Sequence, residues 1–192
     1  MAKIVIDAGH AGGNTDPGAI NPVTGLQEAD VTLEVSKLVA HYLECAGYPV
    51  KLTRSEREQP ETDSLQYRCD IANKWDADVF LSLHCNSAGT VLAKGFEVWT
   101  SPGQTDGDQL ATYVQQQIVG EFPDRIGRVD YLDGDPDKES HFYVLTQTNA
   151  PACLVEMAFI SSSEEAALLS DPIWQDRMAR AVARGVTDYL AG

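Results

Sequence analysis

Paired thiols, long apolar runs and an excess of basic residues are all missing from this sequence, and each absence excludes a class of protein. The four cysteines, Cys45, Cys69, Cys85 and Cys153, are widely spaced without a C-x-x-C pair, which argues against a disulfide framework or a thiolate zinc site. We expect buried, reduced thiols instead. No apolar run approaches the roughly 18 residues that span a bilayer. The first predicted strand begins at Lys3, which leaves no room for a signal peptide.

Basic residues are outnumbered two to one. The chain has 14 Lys plus Arg against 29 Asp plus Glu, a net charge of -15. This charge repels phosphate backbones and anionic membrane surfaces, so neither nucleic acid nor a membrane is expected as the main partner. The net negative charge does favour the binding of a divalent cation. With 192 residues and 43% hydrophobic content, we expect one domain over residues 1–192 with one substantial core.

Apolar runs alternate with segments of helical periodicity, which predicts an α/β domain with one central sheet. Residues 54–61 are predicted to be a solvated loop, and residues 142–145 a short strand or the end of a loop. The predicted strands lie near residues 4–6, 49–53, 79–84, 95–100 and 152–160. The predicted helices lie near residues 28–45, 62–75 with Thr62 or Asp63 as N-cap, 106–119 and 171–190, with a short helix after Ser161–Ser163.

Two of the buried strands lead directly into a histidine, His10 after the first strand and His84 at the end of the 79–84 strand. Open α/β sheets bind ligands beyond the carboxyl ends of their strands, so the two imidazoles meet there if the strands are neighbours. Catalytic zinc takes three N or O ligands from the protein and leaves one position for water. A zinc site at the two histidines therefore requires a third protein ligand.

A carboxylate can complete this set. Glu28 lies where the first loop enters the first helix, but an acidic residue there also favours a helix N-terminus by roughly 0.3–1 kcal/mol without any metal. Asp7, Asp16 and Asp30 are competitors, of which Asp7 is better suited to orienting an imidazole from behind. The residues alone leave this choice open.

Glu156 interrupts the apolar run 152–160. A buried carboxylate costs several kcal/mol unless it is paired or used, so we interpret Glu156 as a general acid/base beside the metal. A structural ion pair with Arg54 or Arg68 is the alternative.

Five segments, in this order along nearly the whole chain, resemble the zinc-dependent N-acetylmuramoyl-L-alanine amidases. They are residues 4–10, residues 16–19, the helix entry at Glu28, residues 82–86 and residues 151–161.

The resemblance implies a single domain with a mixed, twisted, six-stranded sheet flanked by helices on both faces. It also implies one zinc ion held by His10, Glu28 and His84, with Glu156 as the catalytic glutamate. The expected reaction is hydrolysis of the amide between N-acetylmuramic acid and L-alanine in bacterial peptidoglycan. Since that substrate lies outside the membrane, we expect a phage endolysin released by lysis or a domain of a longer secreted protein.

The sequence departs from the family pattern at Cys85, where a small residue is usual, at Thr146, where an arginine is common, and in a longer acidic segment, residues 130–139. We do not interpret that segment as a calcium loop, because its glycine and glutamate do not have the required spacing. We expect it to form a mobile wall of the cleft whose acids disfavour anionic substituents.

Three other functions stay open at this point. They are a zinc peptidase acting on the stem peptide, a cysteine amidase using Cys85, and a wall-binding module without activity. The cysteine route is disfavoured because His84 and Cys85 project to opposite faces of a regular strand.

Overall fold

The computed structural model describes residues 1–132 and 134–192 of the chain, which contain six strands and six α-helices. The strands are β1 (Ile4–Ala8), β2 (Val50–Leu52), β3 (Val79–Asn86), β4 (Glu97–Thr100), β5 (Lys138–Glu139) and β6 (Ala152–Phe159). The helices are α1 (Glu28–Cys45), α2 (Leu65–Trp75), α3 (Asp106–Glu121), α4 (Tyr143–Thr146), α5 (Ser163–Leu169) and α6 (Pro172–Ala191), with a 3₁₀ turn at Pro60–Asp63.

All six strands join one sheet in the order β2-β1-β3-β6-β4-β5. The pairs β1–β2, β1–β3, β3–β6 and β4–β5 are parallel, whereas β4 runs antiparallel to β6. The expected mixed six-stranded sheet is confirmed. Because β1 and β3 are parallel neighbours, the chain segments that follow them emerge at the same edge.

Helices cover both faces of the sheet. On one face, α1, α3 and α6 pack against alternate strand residues such as Ile6, Leu83 and Val155. On the other face, α2 and α4 pack against a smaller cluster that includes Val5 and Phe80. Side chains alternate between these faces along every strand.

The second face becomes polar toward the carboxyl ends of β1, β3 and β6. We call this polar area the cleft face. The strand residues that form it are Asp7, Ser82, His84, Glu156 and Glu97. Although these strands look uniformly apolar in sequence, their candidate functional side chains all lie on one face of the sheet.

Several local expectations are wrong. Residues 143–146 form the short helix α4 rather than a strand, and the N-cap of α2 is Ser64, whose hydroxyl accepts a hydrogen bond from the Tyr67 amide, rather than Thr62 or Asp63. All four cysteines are free thiols, but Cys45 is exposed at the end of α1. Over residues 1–132 and 134–192, no helix has the length and apolar character that crossing a membrane requires.

The acidic segment is more ordered at its end than expected. Residue 133 lies outside the described residues, but Lys138–Glu139 form the edge strand β5, and Asp137 beside it is buried. The Thr100 hydroxyl donates a hydrogen bond to the Asp137 carboxylate. Burial, reinforced by the neighbouring carboxyl group of Asp135, raises the pKa of Asp137 to about 8.

We expect Asp137 to make the free energy of unfolding depend on pH. Between its ordinary value of 3.8 and about 8, the folded protein holds a proton that the unfolded chain has released, so the free energy of unfolding falls as the pH rises. One proton gives a slope of at most about 1.4 kcal/mol per pH unit. Asp137→Asn stays neutral, so its stability relative to wild type should increase from pH 5 to pH 8 in urea titrations. The same substitution at exposed Asp124 is the control, and a difference between Asp137→Asn and wild type that does not change with pH would contradict the assignment.

Candidate metal centre

Three side chains with metal-binding atoms converge at the ends of β1 and β3. Glu28 at the start of α1 lies between the two histidines, with its Oε2 at 3.0 Å from His10 Nε2 and its Oε1 at 3.0 Å from His84 Nδ1. One ligand atom from each residue lies within 4.8 Å of the other two. In a tetrahedral zinc site, with metal–ligand distances of about 2.0–2.1 Å, ligand atoms lie about 3.3 Å apart. Two imidazoles and one carboxylate at this spacing fit such an ion.

Glycines make this approach possible. A Cβ atom on Gly9 would lie 2.5 Å from His84 Cε1, and a Cβ on Gly18 would lie 2.6 Å from His10 Cδ2 and 2.8 Å from Glu28 Oε2. His10 itself has a positive φ of 66°, a left-handed conformation that turns the chain sharply after β1. Gly9 and Gly18 are therefore required by the packing of the three candidate ligands.

The Glu28 carboxylate is fixed by backbone as well as by the histidines. The Ala19 amide donates to Oε2 at 2.9 Å and the Cys85 amide donates to Oε1 at 2.8 Å. Burial opposes the ionised form, but the hydrogen bonds from His10 and His84 outweigh it and hold the pKa of Glu28 well below its ordinary value. Burial also opposes a charged His84, yet Glu28 raises the pKa of that imidazole to about 9. A cation is clearly favoured at this position.

The carboxylate that orients His10 is Asp16 rather than Asp7. Asp16 Oδ2 lies 2.9 Å from His10 Nδ1, on the opposite side of the ring from Glu28, which fixes the ring and leaves Nε2 for a ligand. Asp7 is instead bound by the Arg68 guanidinium at 2.6 Å and by two hydroxyl groups. Asp30 pairs with Arg57. Of the three competitors, only Asp16 contacts a histidine of the group, from behind the ring.

Arg54 is a residue whose role the sequence did not indicate. It begins the stretch expected to be a solvated loop, yet its side chain is fully buried. Its Nη2 donates to the carbonyl oxygens of Gly9 at 3.2 Å and Ala29 at 2.9 Å. These two residues adjoin His10 and Glu28, so one guanidinium ties together the two chain segments that carry these ligands. No periodicity or motif in the sequence distinguishes Arg54 from a surface arginine.

Glu156 lies opposite His84 in the parallel pairing of β3 and β6, with its side chain on the cleft face. Its Oε2 is buried and has no hydrogen-bond partner among residues 1–132 and 134–192. Burial raises the pKa of Glu156 to about 7, with Glu28 and Glu97 acting in the same direction and the histidines opposing them. Because Arg68 binds Asp7 and Arg54 binds carbonyl groups, the alternative of a structural ion pair with either arginine is wrong. A pKa near neutrality is optimal for a general base.

Cys85 lies outside the cleft. Its side chain belongs to the core under α1 and α6, on the opposite face of β3 from His84, as the alternation along the strand requires. Burial raises the pKa of its thiol well above the ordinary value. A thiolate nucleophile at this position is therefore disfavoured.

A cavity of about 380 Å³ opens beside the group. His10, His84 and Glu156 form one wall, and α4 together with the start of α2 forms the other. Phe142, Tyr143 and Leu65 give this second wall an apolar surface. The cavity can thus hold part of a substrate against the candidate metal ligands.

Comparison with known proteins is consistent with this arrangement. Residues 4–188 match a family described as N-acetylmuramoyl-L-alanine amidase. The chain is 35% identical over 188 residues to the N-acetylmuramoyl-L-alanine amidase CwlM of Bacillus licheniformis, which covers 97% of this chain and 68% of that protein. It is 34% identical over 196 residues to the endolysin of Bacillus phage SPP1, with 99% of this chain and 67% of that protein covered. The solved structure of the amidase AmiC2 of Nostoc punctiforme superposes with a TM-score of 0.88 at 33% identity, over 100% of this chain and 98% of that one.

Proposed function

The chain belongs to the N-acetylmuramoyl-L-alanine amidase family, and from this membership and the cleft geometry we propose that it is a zinc-dependent peptidoglycan amidase. The scissile bond is the amide between the lactyl group of N-acetylmuramic acid and L-alanine. The observation that carries the proposal is the convergence of His10, Glu28 and His84 beside Glu156, whose Oε2 has no hydrogen-bond partner in the described part of the chain. Peptidoglycan is then the macromolecular partner, and the site of action is the cell wall.

His10, Glu28 and His84 would hold one zinc ion. When bound, zinc polarises a carbonyl group and lowers the pKa of water. The protein's own residues orient the proposed zinc ligands and move protons. The Asp16 hydrogen bond fixes the His10 ring, and two backbone amides fix the Glu28 carboxylate, so these contacts orient the proposed ligands.

Glu156 is the proton carrier of the proposed reaction. Its carboxylate takes a proton from the water that attacks the carbonyl carbon, and it returns that proton to the amide nitrogen as the carbon–nitrogen bond breaks. The products are the free lactyl carboxylic acid and the amino group of L-alanine. A pKa near 7 suits both transfers, because the group must accept and then release one proton.

The test is digestion of purified peptidoglycan with and without a chelator. We expect new L-alanine amino termini without new reducing sugar ends, loss of this activity in chelator, and recovery on addition of zinc but not magnesium, because two imidazoles and a carboxylate favour zinc. Elemental analysis should find one zinc ion per chain. Amino groups arising within the stem peptide would indicate a peptidase instead. Full activity in chelator, with inhibition by an alkylating agent, would refute the metal mechanism.

A further inference from the structure

A second group of charged side chains lies next to Glu156, and we call it the Glu97 cluster, comprising Glu97, Arg128 and Lys138. Glu97 lies opposite Glu156 in the antiparallel pairing of β4 and β6, and only 4% of it is exposed. Arg128 Nε donates to Glu97 Oε1 at 2.6 Å, and Lys138 Nζ donates to the same oxygen at 2.9 Å. Two cations on one carboxylate give the three side chains of the Glu97 cluster a net charge of +1.

The carboxylate of the Glu97 cluster is held firmly. Its other oxygen, Oε2, accepts hydrogen bonds from Asn86 Nδ2 at 2.9 Å and Trp99 Nε1 at 3.2 Å. Both oxygens of Glu97 are therefore fully engaged by the protein. The cations that Glu97 binds are thus held by a fixed carboxylate on β4, the strand next to β6, although Arg128 itself lies in an irregular segment.

Both cations of the Glu97 cluster remain reachable. The Arg128 side chain is 43% exposed and the Lys138 side chain 21% exposed. Arg128 contacts Glu97 through Nε, which leaves its two terminal amino groups outside that contact. Lys138 Nζ also lies 5.1 Å from the centre of the Trp99 ring, and Trp99 packs edge-on against Phe142 of the cavity wall. The cluster thus adjoins the cavity wall through Trp99.

The two sides of the scissile amide differ in charge. In the proposed reaction, the muramoyl side is an uncharged lactyl sugar, whereas the stem peptide carries carboxylates. Side chains of paired antiparallel residues lie about 4.5–5.5 Å apart, and one residue of extended peptide spans about 3.5 Å. The Glu97 cluster therefore lies one or two peptide residues from the bond that Glu156 serves.

We propose that Arg128 and Lys138, anchored by Glu97, form a subsite for a carboxylate on the second residue of the stem peptide. This inference rests on the proposed amidase function. The subsite fixes the direction in which the substrate lies across the cleft. The stem peptide runs toward β4 and β5, and the muramoyl group lies in the cavity under α4. Whereas the acids of segment 130–139 are expected to disfavour anionic substituents, the subsite uses the one base of that segment, Lys138, which binds Glu97.

The experiment uses two muramoyl-L-alanyl peptides that differ only in a carboxylate or a carboxamide on the second residue, with all other carboxyl groups amidated. Wild type should have the lower KM for the carboxylate peptide. Lys138→Met and Arg128→Met should each raise that KM about tenfold or more, the typical loss of one charged hydrogen bond, with kcat and the KM for the carboxamide peptide little changed. Lys138→Arg should retain the preference. Arg180→Met, on α6 at the opposite face of the sheet, is the matched control.

The outcomes separate this proposal from the one on which it rests. If wild type cleaves both peptides at the amide with equal KM, or if the variants lose activity equally on both, the subsite is refuted while the amidase function stands. If wild type cleaves neither peptide, or cleaves another bond, the amidase function is refuted and the subsite with it. Melting temperatures identify a variant that fails to fold, in which case the remaining variant at the cluster decides.

Discussion

Glu156→Gln is expected to keep the fold and the bound metal while turnover on peptidoglycan falls about 10²–10⁴-fold, the usual contribution of a general acid/base. The amide has the shape of the carboxylate but cannot take up the proton of the attacking water. The folded protein should tolerate the change, because Glu156 Oε2 has no hydrogen-bond partner in the described part of the chain and its charge is opposed by burial.

Rate measurements at saturating substrate, together with zinc content and melting temperature, test this expectation. Glu44→Gln, an exposed site on α1, controls for the loss of one negative charge. A Glu156→Gln enzyme that turned over within about twofold of wild type would show that another group carries the proton. Loss of zinc from this variant would instead indicate that Glu156 is needed for metal binding.

His84→Ala is expected to abolish both metal binding and activity. The substitution removes one of the three proposed ligands and leaves Glu28 without the imidazole that binds its Oε1. Removing a residue that only supports a metal ligand typically lowers the affinity for the metal 10–100-fold. Removing a proposed ligand itself should therefore lower that affinity by more than about 100-fold.

Zinc per chain after dialysis against a weak chelator is the direct measurement for His84→Ala. His41→Ala is the matched control, since His41 is exposed on α1 beside Cys45 and should leave zinc content unchanged. Circular dichroism shows whether the fold survives. If folded His84→Ala retained one zinc ion at wild-type affinity, the assignment of the three ligands would be wrong.

The sequence predicts much of this fold because the strands and long helices carry strong local signals. The limits of α1 follow from its apolar spacing and agree with the structure at both ends. The histidines and Glu156 stand out because each interrupts or ends an apolar run. Such residues are visible without any knowledge of tertiary contacts.

The residues that were missed depend on contacts between distant segments. Arg54 follows a strand in a polar stretch, and only the folded chain shows that it binds carbonyl groups beside two ligands. Strand β5 has two residues and no alternation, so neither Lys138 nor its contact with Glu97 could be predicted. Helix α4 was misjudged for the same reason, because four residues are too few to show a period.

The strand order has a consequence for how the active protein is assembled during synthesis. The three candidate metal ligands all lie within the first 84 residues, but Glu156 lies on β6, which is inserted between β3 and β4. The sheet is therefore completed at its centre by a late segment of the chain, through contacts that are distant in sequence and slow to form. A nascent chain that has reached β5 contains His10, Glu28 and His84 but not Glu156. We therefore expect no hydrolytic activity before β6 has joined the sheet.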